Sequence, residues 1–99
     1  MAPQTTLSSY HLAQRALADL KAAVLSTIES HGGEGCTNAE IGRLLSIYEG
    51  HKGHEGHIPR TILAFLEREG TIVQDESTKR WCLRPGLRAP DDVNASVGP

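Results

Sequence analysis

Apolar residues fall into four runs along the chain, and the polar stretches between them mark where elements stop. The first run is the longest. Ala13, Ala16, Leu17, Leu20, Val24 and Ile28 follow a 3.6-residue period, while Gln14, Arg15, Lys21 and Glu29 fall elsewhere on the wheel. This predicts a helix over about 9–30, capped by Ser8 or Ser9 and ended by Gly32, Gly33 and Gly35. Ahead of it, 1–8 has no periodicity and reads as a flexible N-terminus. The second run opens on Thr37-Asn38-Ala39-Glu40, a capping box in which hydroxyl and carboxylate satisfy each other's backbone N–H. Ile41, Leu44, Leu45 and Tyr48 continue it as an apolar stripe, so a helix is predicted over about 38–47.

Nine residues without an apolar side chain follow, Glu49 to His57 (EGHKGHEGH), and read as a loop with nothing to bury. The third run then begins. Pro59 suits a first helical turn, where its missing N–H leaves no partner unsatisfied. Ile62, Leu63 and Leu66, with Phe65 beside them, give the helix one apolar face, and Gly70 supplies the left-handed residue at its end. Thr71–Gln74 and Arg80–Arg84 form the fourth run, two strands around the turn-prone Asp75-Glu76-Ser77-Thr78. Alternation sets Cys82 on the side of the hairpin away from Trp81 and leaves it a partly exposed thiol. A tiny strand near Cys36 would complete the sheet. Beyond it, Pro85, Gly86 and Pro90 break up 86–99, which reads as a disordered tail. One domain over 9–85 is expected.

Composition narrows the function classes. At 99 residues there is room for one domain with a modest core. No apolar run approaches the ~20 residues that span a bilayer, so no membrane partner is expected. The first residues show neither a basic start nor an apolar stretch, and two cysteines are too few for a disulfide scaffold. The expectation is an intracellular protein with Cys36 and Cys82 reduced, in the nucleus if eukaryotic and the cytoplasm if prokaryotic. Net charge is -2, and from Cys36 to Arg84 seven positive residues meet seven negative ones. That balance counts against strong nucleic-acid binding, which draws most of its affinity from phosphate neutralisation.

The register Ile62-Leu63-x-x-Leu66-x-x-x-Gly70-x-Ile72, followed by Trp81-x-Leu83, resembles the winged-helix DNA-binding family. With the two preceding helices the resemblance spans about Ser9 to Arg84. It implies an α+β fold: a three-helix bundle with a C-terminal two-stranded β-hairpin wing, in which Ile72, Trp81 and Leu83 are core and not site residues. It also implies that the third helix enters a duplex DNA groove while the wing touches the backbone, in a transcriptional or chromosomal setting. Turning the apolar face inward leaves Arg60, Thr61, Ala64, Glu67 and Arg68 outward. Arg60 would meet guanine acceptors and Thr61 a phosphate or a thymine methyl. Lys79 and Arg80 would supply phosphate contacts from the wing. His57 and Lys52, beside the start of the third helix, join this nucleic-acid-binding set. The competing reading of all these residues is a solubilising surface. The connection before the third helix is about twice the usual helix-turn-helix length. Winged helices that bind Z-form nucleic acid carry an Asn and a Tyr on the third helix and a Pro-Pro pair before the wing tryptophan. Here Arg60, Ala64, Lys79 and Arg80 stand at those places, so that activity is not expected.

Other chemistry is weaker. His51, His54 and His57 with Glu55 offer imidazole ligands, yet a glycine-spaced loop lacks the scaffold for fixed coordination; no metal and no cofactor are expected. Protonated histidines there would instead add positive charge beside the third helix. No phosphate-cradling loop ends in Lys-Ser/Thr, and a cysteine–histidine pair would be coincidental, so no enzyme is expected. The serious rival to DNA binding is a protein-docking module within a larger complex, or a homodimer through the first helix with Leu12, Val24 and Leu25 as candidates.

Overall fold

A computed structural model describes residues 2–86, with side chains from Ser8 onward. It is a small α+β structure, three helices followed by an antiparallel hairpin. Helix α1 runs Ala2–Ser30, α2 Asn38–Leu44 and α3 His57–Arg68; strands β1 (Ile72–Gln74) and β2 (Trp81–Leu83) close the chain. A single 3-10 turn, Gly32–Glu34, links α1 to Cys36.

The core follows from the predicted stripes. Val24 and Ile28 of α1, Ile41 of α2, and Ile62, Leu63 and Leu66 of α3 are buried together with Cys36, Ile72 and Trp81. Burying each such aliphatic side chain contributes about 1.5–3 kcal/mol. Leu17, Leu20, Leu25, Leu45, Phe65 and Leu83 pack around this centre as half-buried neighbours. Leu83 is therefore a core border residue and not a core centre.

The hairpin pairs Ile72 with Leu83, Val73 with Cys82 and Gln74 with Trp81. Arg84 N–H donates to the Thr71 carbonyl and Asp75 N–H to the Arg80 carbonyl, which extends the ladder at both ends. The short third strand is reduced to an isolated bridge: Cys36 N–H donates to Trp81 O at 3.1 Å, and Trp81 N–H to Cys36 O at 2.7 Å. Gly70, at φ +83°, ends α3 as the sequence predicts. Both the N–H and the hydroxyl of Thr71 then donate to the Leu66 carbonyl, which fixes the turn from α3 into β1.

Four expectations need correction. Helix α1 begins at Ala2, so 2–8 is helical and not a loose lead-in; Pro3 lies in the first turn, where helices tolerate proline. Helix α2 stops at Leu44, because Ser46 takes a left-handed φ of +59°. Leu44 consequently points outward, 61% exposed. Val24 is fully buried and Leu25 half-buried, so neither is available on an outer face of α1.

The fourth correction concerns only the end of the loop after α2: Glu49–His54 are exposed as expected, but Gly56 is buried. Tyr48 lies against Gly42, where an added Cβ would sit 2.8 Å from the ring's own Cβ and Cδ1, and Arg43 covers the ring at 4.8 Å. Gly56 N–H donates to Glu49 O at 2.9 Å, and Asn38 Nδ2 to Gly56 O at 3.3 Å. Gly56 itself is the N-cap of α3 in the left-handed region, at φ +86°. The tail expected to be disordered lies outside the described residues, apart from Gly86.

Candidate nucleic-acid interface

Helix α3 has a strongly segregated surface, and its buried side determines what its outer side shows. With Pro59, Ile62, Leu63 and Leu66 buried, the side chains of His57, Arg60, Thr61, Ala64 and Arg68 are all exposed. Spacings of three, four and seven residues place these five on one face. Glu67 stands at its edge, beside Arg60 on the wheel.

The donors on this face are mostly free. Arg60 commits one nitrogen, Nη2, to the Glu55 carbonyl at 3.3 Å and retains the rest of its five-donor fork. Arg68 is exposed and lies 5.7 Å from the Phe65 ring centroid, a cation–π contact. Thr61 donates its hydroxyl to the His57 carbonyl at 2.8 Å. Its proton is thus occupied, and of the two roles expected for it the methyl contact fits this geometry better than donation to phosphate. Lys52 sits exposed in the loop before α3.

On the hairpin the two expected cations part ways. Lys79 is exposed at the tip, in a left-handed conformation of φ +64°. Arg80 is turned back onto the scaffold. Its Nη1 donates to Gly35 O at 3.1 Å and to Glu40 Oε1 at 3.2 Å, and its Nη2 to Glu40 Oε2 at 3.4 Å. Arg80 therefore ties the wing to the capping box of α2, where Thr37 and Glu40 exchange the expected pair of hydrogen bonds. The Thr37 N–H, and then the Arg80 guanidinium, hold the Glu40 carboxyl below its ordinary value. Sequence alone gave Glu40 the cap but not the arginine, because the two are 40 residues apart.

The wing turn is organised by Asp75. Its Oδ1 accepts from Ser77 N, Ser77 Oγ and Thr78 N within 2.9 Å, which lowers its carboxyl to about 2. On α1, Lys21 pairs with Glu69 and lies 5.7 Å from the Phe65 ring, so it fastens α1 to α3 and neutralises one carboxylate close to the outer face. Among the described residues no group of three His, Cys, Asp or Glu comes together to hold a metal ion. His51, His54 and His57 are thus not gathered into a site. The buried Cys36 thiol is pushed up to about 11, first by desolvation and then by the Glu40 and Cys82 charges. No helix among the described residues is long and apolar enough to cross a membrane.

Compared with protein-family models, with curated proteins and with solved structures, the chain finds no match in any of the three.

Proposed function

We propose that this protein is a winged-helix module that binds duplex DNA without catalysis, inside the cell, in a transcriptional or chromosomal context. The observation that carries the reading is the outer face of α3: Arg60 and Arg68 stand exposed there with no ion-pair partner among the described residues. The apparent charge neutrality of the motif also shifts once the ion pairs are removed from the count. Arg80 cancels Glu40, and Lys21, from outside the motif, cancels Glu69. Seven against seven becomes six free positives (Arg43, Lys52, Arg60, Arg68, Lys79, Arg84) against five free negatives (Glu49, Glu55, Glu67, Asp75, Glu76). Of these, Arg60 occupies the N-terminal part of α3, the usual place for base-edge contact, and Lys79 supplies the backbone contact from the wing.

The test is fluorescence anisotropy of a labelled mixed-sequence duplex, titrated with the protein from 50 to 200 mM salt. Three phosphate contacts, from Lys52, Arg68 and Lys79, predict a log–log slope of about -2.7, an affinity loss of about 40-fold over that range. Lys79→Ala reduces the slope by about 1, whereas Arg60→Ala weakens binding with little change in slope. Absence of binding at the lowest salt sinks the proposal.

A second reading, protein docking, is favoured by one observation. Tyr10 and Leu12 of α1 are large apolar residues, 59% and 66% exposed.

A further inference from the structure

The loop between α2 and α3 holds titratable groups that the DNA contact described above does not use. His51, His54 and His57 stand at three-residue spacing, and all three are exposed, as is Lys52. Histidine is the one side chain whose ordinary ionisation falls between pH 5 and 8. Whether such residues act together depends on how the backbone holds them.

Here the backbone is folded back on itself. His54 N–H donates to His51 O at 2.7 Å, which closes a four-residue turn with Lys52 and Gly53 at its corners. Gly53 has φ +82°, a positive value that such turns commonly assign to glycine. A turn of this kind keeps its first and fourth Cα atoms within about 7 Å, so His51 and His54 flank Lys52 at the loop tip. The limbs below the tip are in contact. A Cβ added to Gly50 would lie 2.3 Å from His54 O, and Gly56 N–H donates to Glu49 O at 2.9 Å. The tip is also fastened to the outer face of α3. Arg60 Nη2 donates to Glu55 O at 3.3 Å, and Glu55 Oε2 accepts from Gly53 N–H at 3.2 Å. One residue, Glu55, therefore joins the turn to the arginine expected at the base edges.

The charges around this tip set its sign. Helix α3 contributes His57 and Arg60, and α2 brings Arg43, which covers the Tyr48 ring packed on Gly56. Toward α1, His57 borders a groove whose lining, Leu17 included, carries no charged residue. On the loop itself, Glu49 and Glu55 have no ion-pair partner among the described residues. With the imidazoles neutral, one positive residue of Glu49–Gly56 meets two negative ones; with His51 and His54 protonated, three meet two. The segment beside Arg60 thus changes from repelling a phosphate to attracting one. Coupling of this kind is reciprocal, so phosphate binding favours the protonated histidines as much as protons favour the phosphate.

We propose that the His51–His54 turn is a proton-dependent phosphate contact, which binds the DNA backbone beside Arg60 when its two histidines are protonated and releases it when they are neutral. This role rests on the DNA-binding reading and adds to it a control by pH.

The experiment is the anisotropy titration of the labelled mixed-sequence duplex, from 50 to 200 mM salt, at pH 8.0 and at pH 5.5. It is run on the full chain as wild type, as His51→Gln/His54→Gln and as His11→Gln. All three substituted side chains are exposed, and a thermal melt of each protein at both pH values checks folding. Each histidine that meets a phosphate steepens the log–log salt slope by about 0.9. The wild-type slope is expected to be steeper at pH 5.5 than at pH 8.0 by about 1.8 or more, with affinity at 100 mM salt at least about 10-fold higher. His11→Gln keeps this change, and His51→Gln/His54→Gln reduces it to about 0.9 or less, the share left to His57. Equal slopes and affinities at the two pH values overturn the inference while the DNA reading stands. So does a change that the double variant retains in full, or one that His11→Gln removes as well. Absence of binding at both pH values overturns the DNA reading itself and the inference with it.

Discussion

Gly56→Ala tests whether the glycine–histidine loop is a packed support for α3. The residue caps α3 at φ +86°, and an added Cβ would lie 2.7 Å from Asn38 Nδ2 and 2.7 Å from Tyr48 Cε1. Two costs add. An L-residue held in the left-handed region costs about 1–2 kcal/mol. Forcing the Tyr48 ring off Gly42 and out from under Arg43 is an overpacking event of about 1–3 kcal/mol. Gly53 in the same loop separates the two, because it has φ +82° and nothing within 4 Å of its added Cβ. Gly53→Ala therefore incurs the backbone cost alone, about 1–2 kcal/mol. Urea unfolding at fixed protein concentration, followed by fluorescence of Trp81, the single tryptophan, reads both variants. The packing difference leaves Gly56→Ala about 2 kcal/mol less stable than Gly53→Ala in that titration. Equal costs within about 0.5 kcal/mol would mean that Tyr48 is not seated as described, and the reasoning would fail.

Arg80→Ala loses a charge-assisted bond to the Gly35 carbonyl and the tie to Glu40, so its melting temperature falls by about 4–8 °C, equivalent to about 1 kcal/mol. Lys79→Ala leaves the melting temperature within about 2 °C, yet weakens DNA binding more than Arg80→Ala does; the opposite ranking in either assay refutes the division of labour. Asp75 has a folded carboxyl at about 2 against an ordinary 3.8, so its stabilisation of the wing turn is complete above the ordinary value and is lost as pH falls through about 2. Amide shifts of Ser77 and Thr78 should titrate with that midpoint, and a midpoint near 3.8 contradicts the hydrogen-bond account. At pH 8 a thiol pushed to about 11 is about 0.1% thiolate, so a disulfide reagent labels Cys82 promptly and Cys36 only after denaturation. Two fast thiols in the native protein would be the contrary result.

The legible parts of this fold are those whose cause is local. The capping box at Thr37, the stop at Gly70 and the inward set Ile62, Leu63 and Leu66 depend on residues within one turn of each other, and each is present. Alternation in the hairpin put Cys82 on the side away from the buried Trp81 for the same reason, and Cys82 is half-buried. What escaped depends on distance along the chain. Tyr48 against Gly42 and Gly56, and Arg80 against Glu40, join residues that no periodicity links. The loop looked empty because its glycines were counted as breakers, whereas Gly42 and Gly56 leave room for the Tyr48 ring. The outward residues of α3 followed from its amphipathic pattern. Arg80 did not follow, since alternation says which side of the hairpin a residue faces but not whether a carboxylate awaits it. The extra length of α1 was hidden by Pro3, a helix breaker everywhere except in the first turn.

On the proposed function, the outer face of α3 and the tip of the wing receive duplex DNA. Titrating an isotope-labelled sample with a short mixed-sequence duplex, and following each backbone amide by NMR, tests it most directly. The largest shifts are expected at His57, Arg60, Thr61, Ala64, Arg68 and Lys79, with Lys52 next and the buried Ile41 and Val24 unmoved. Shifts absent at 25 mM salt, or confined to Tyr10–Leu17 of α1, would contradict it.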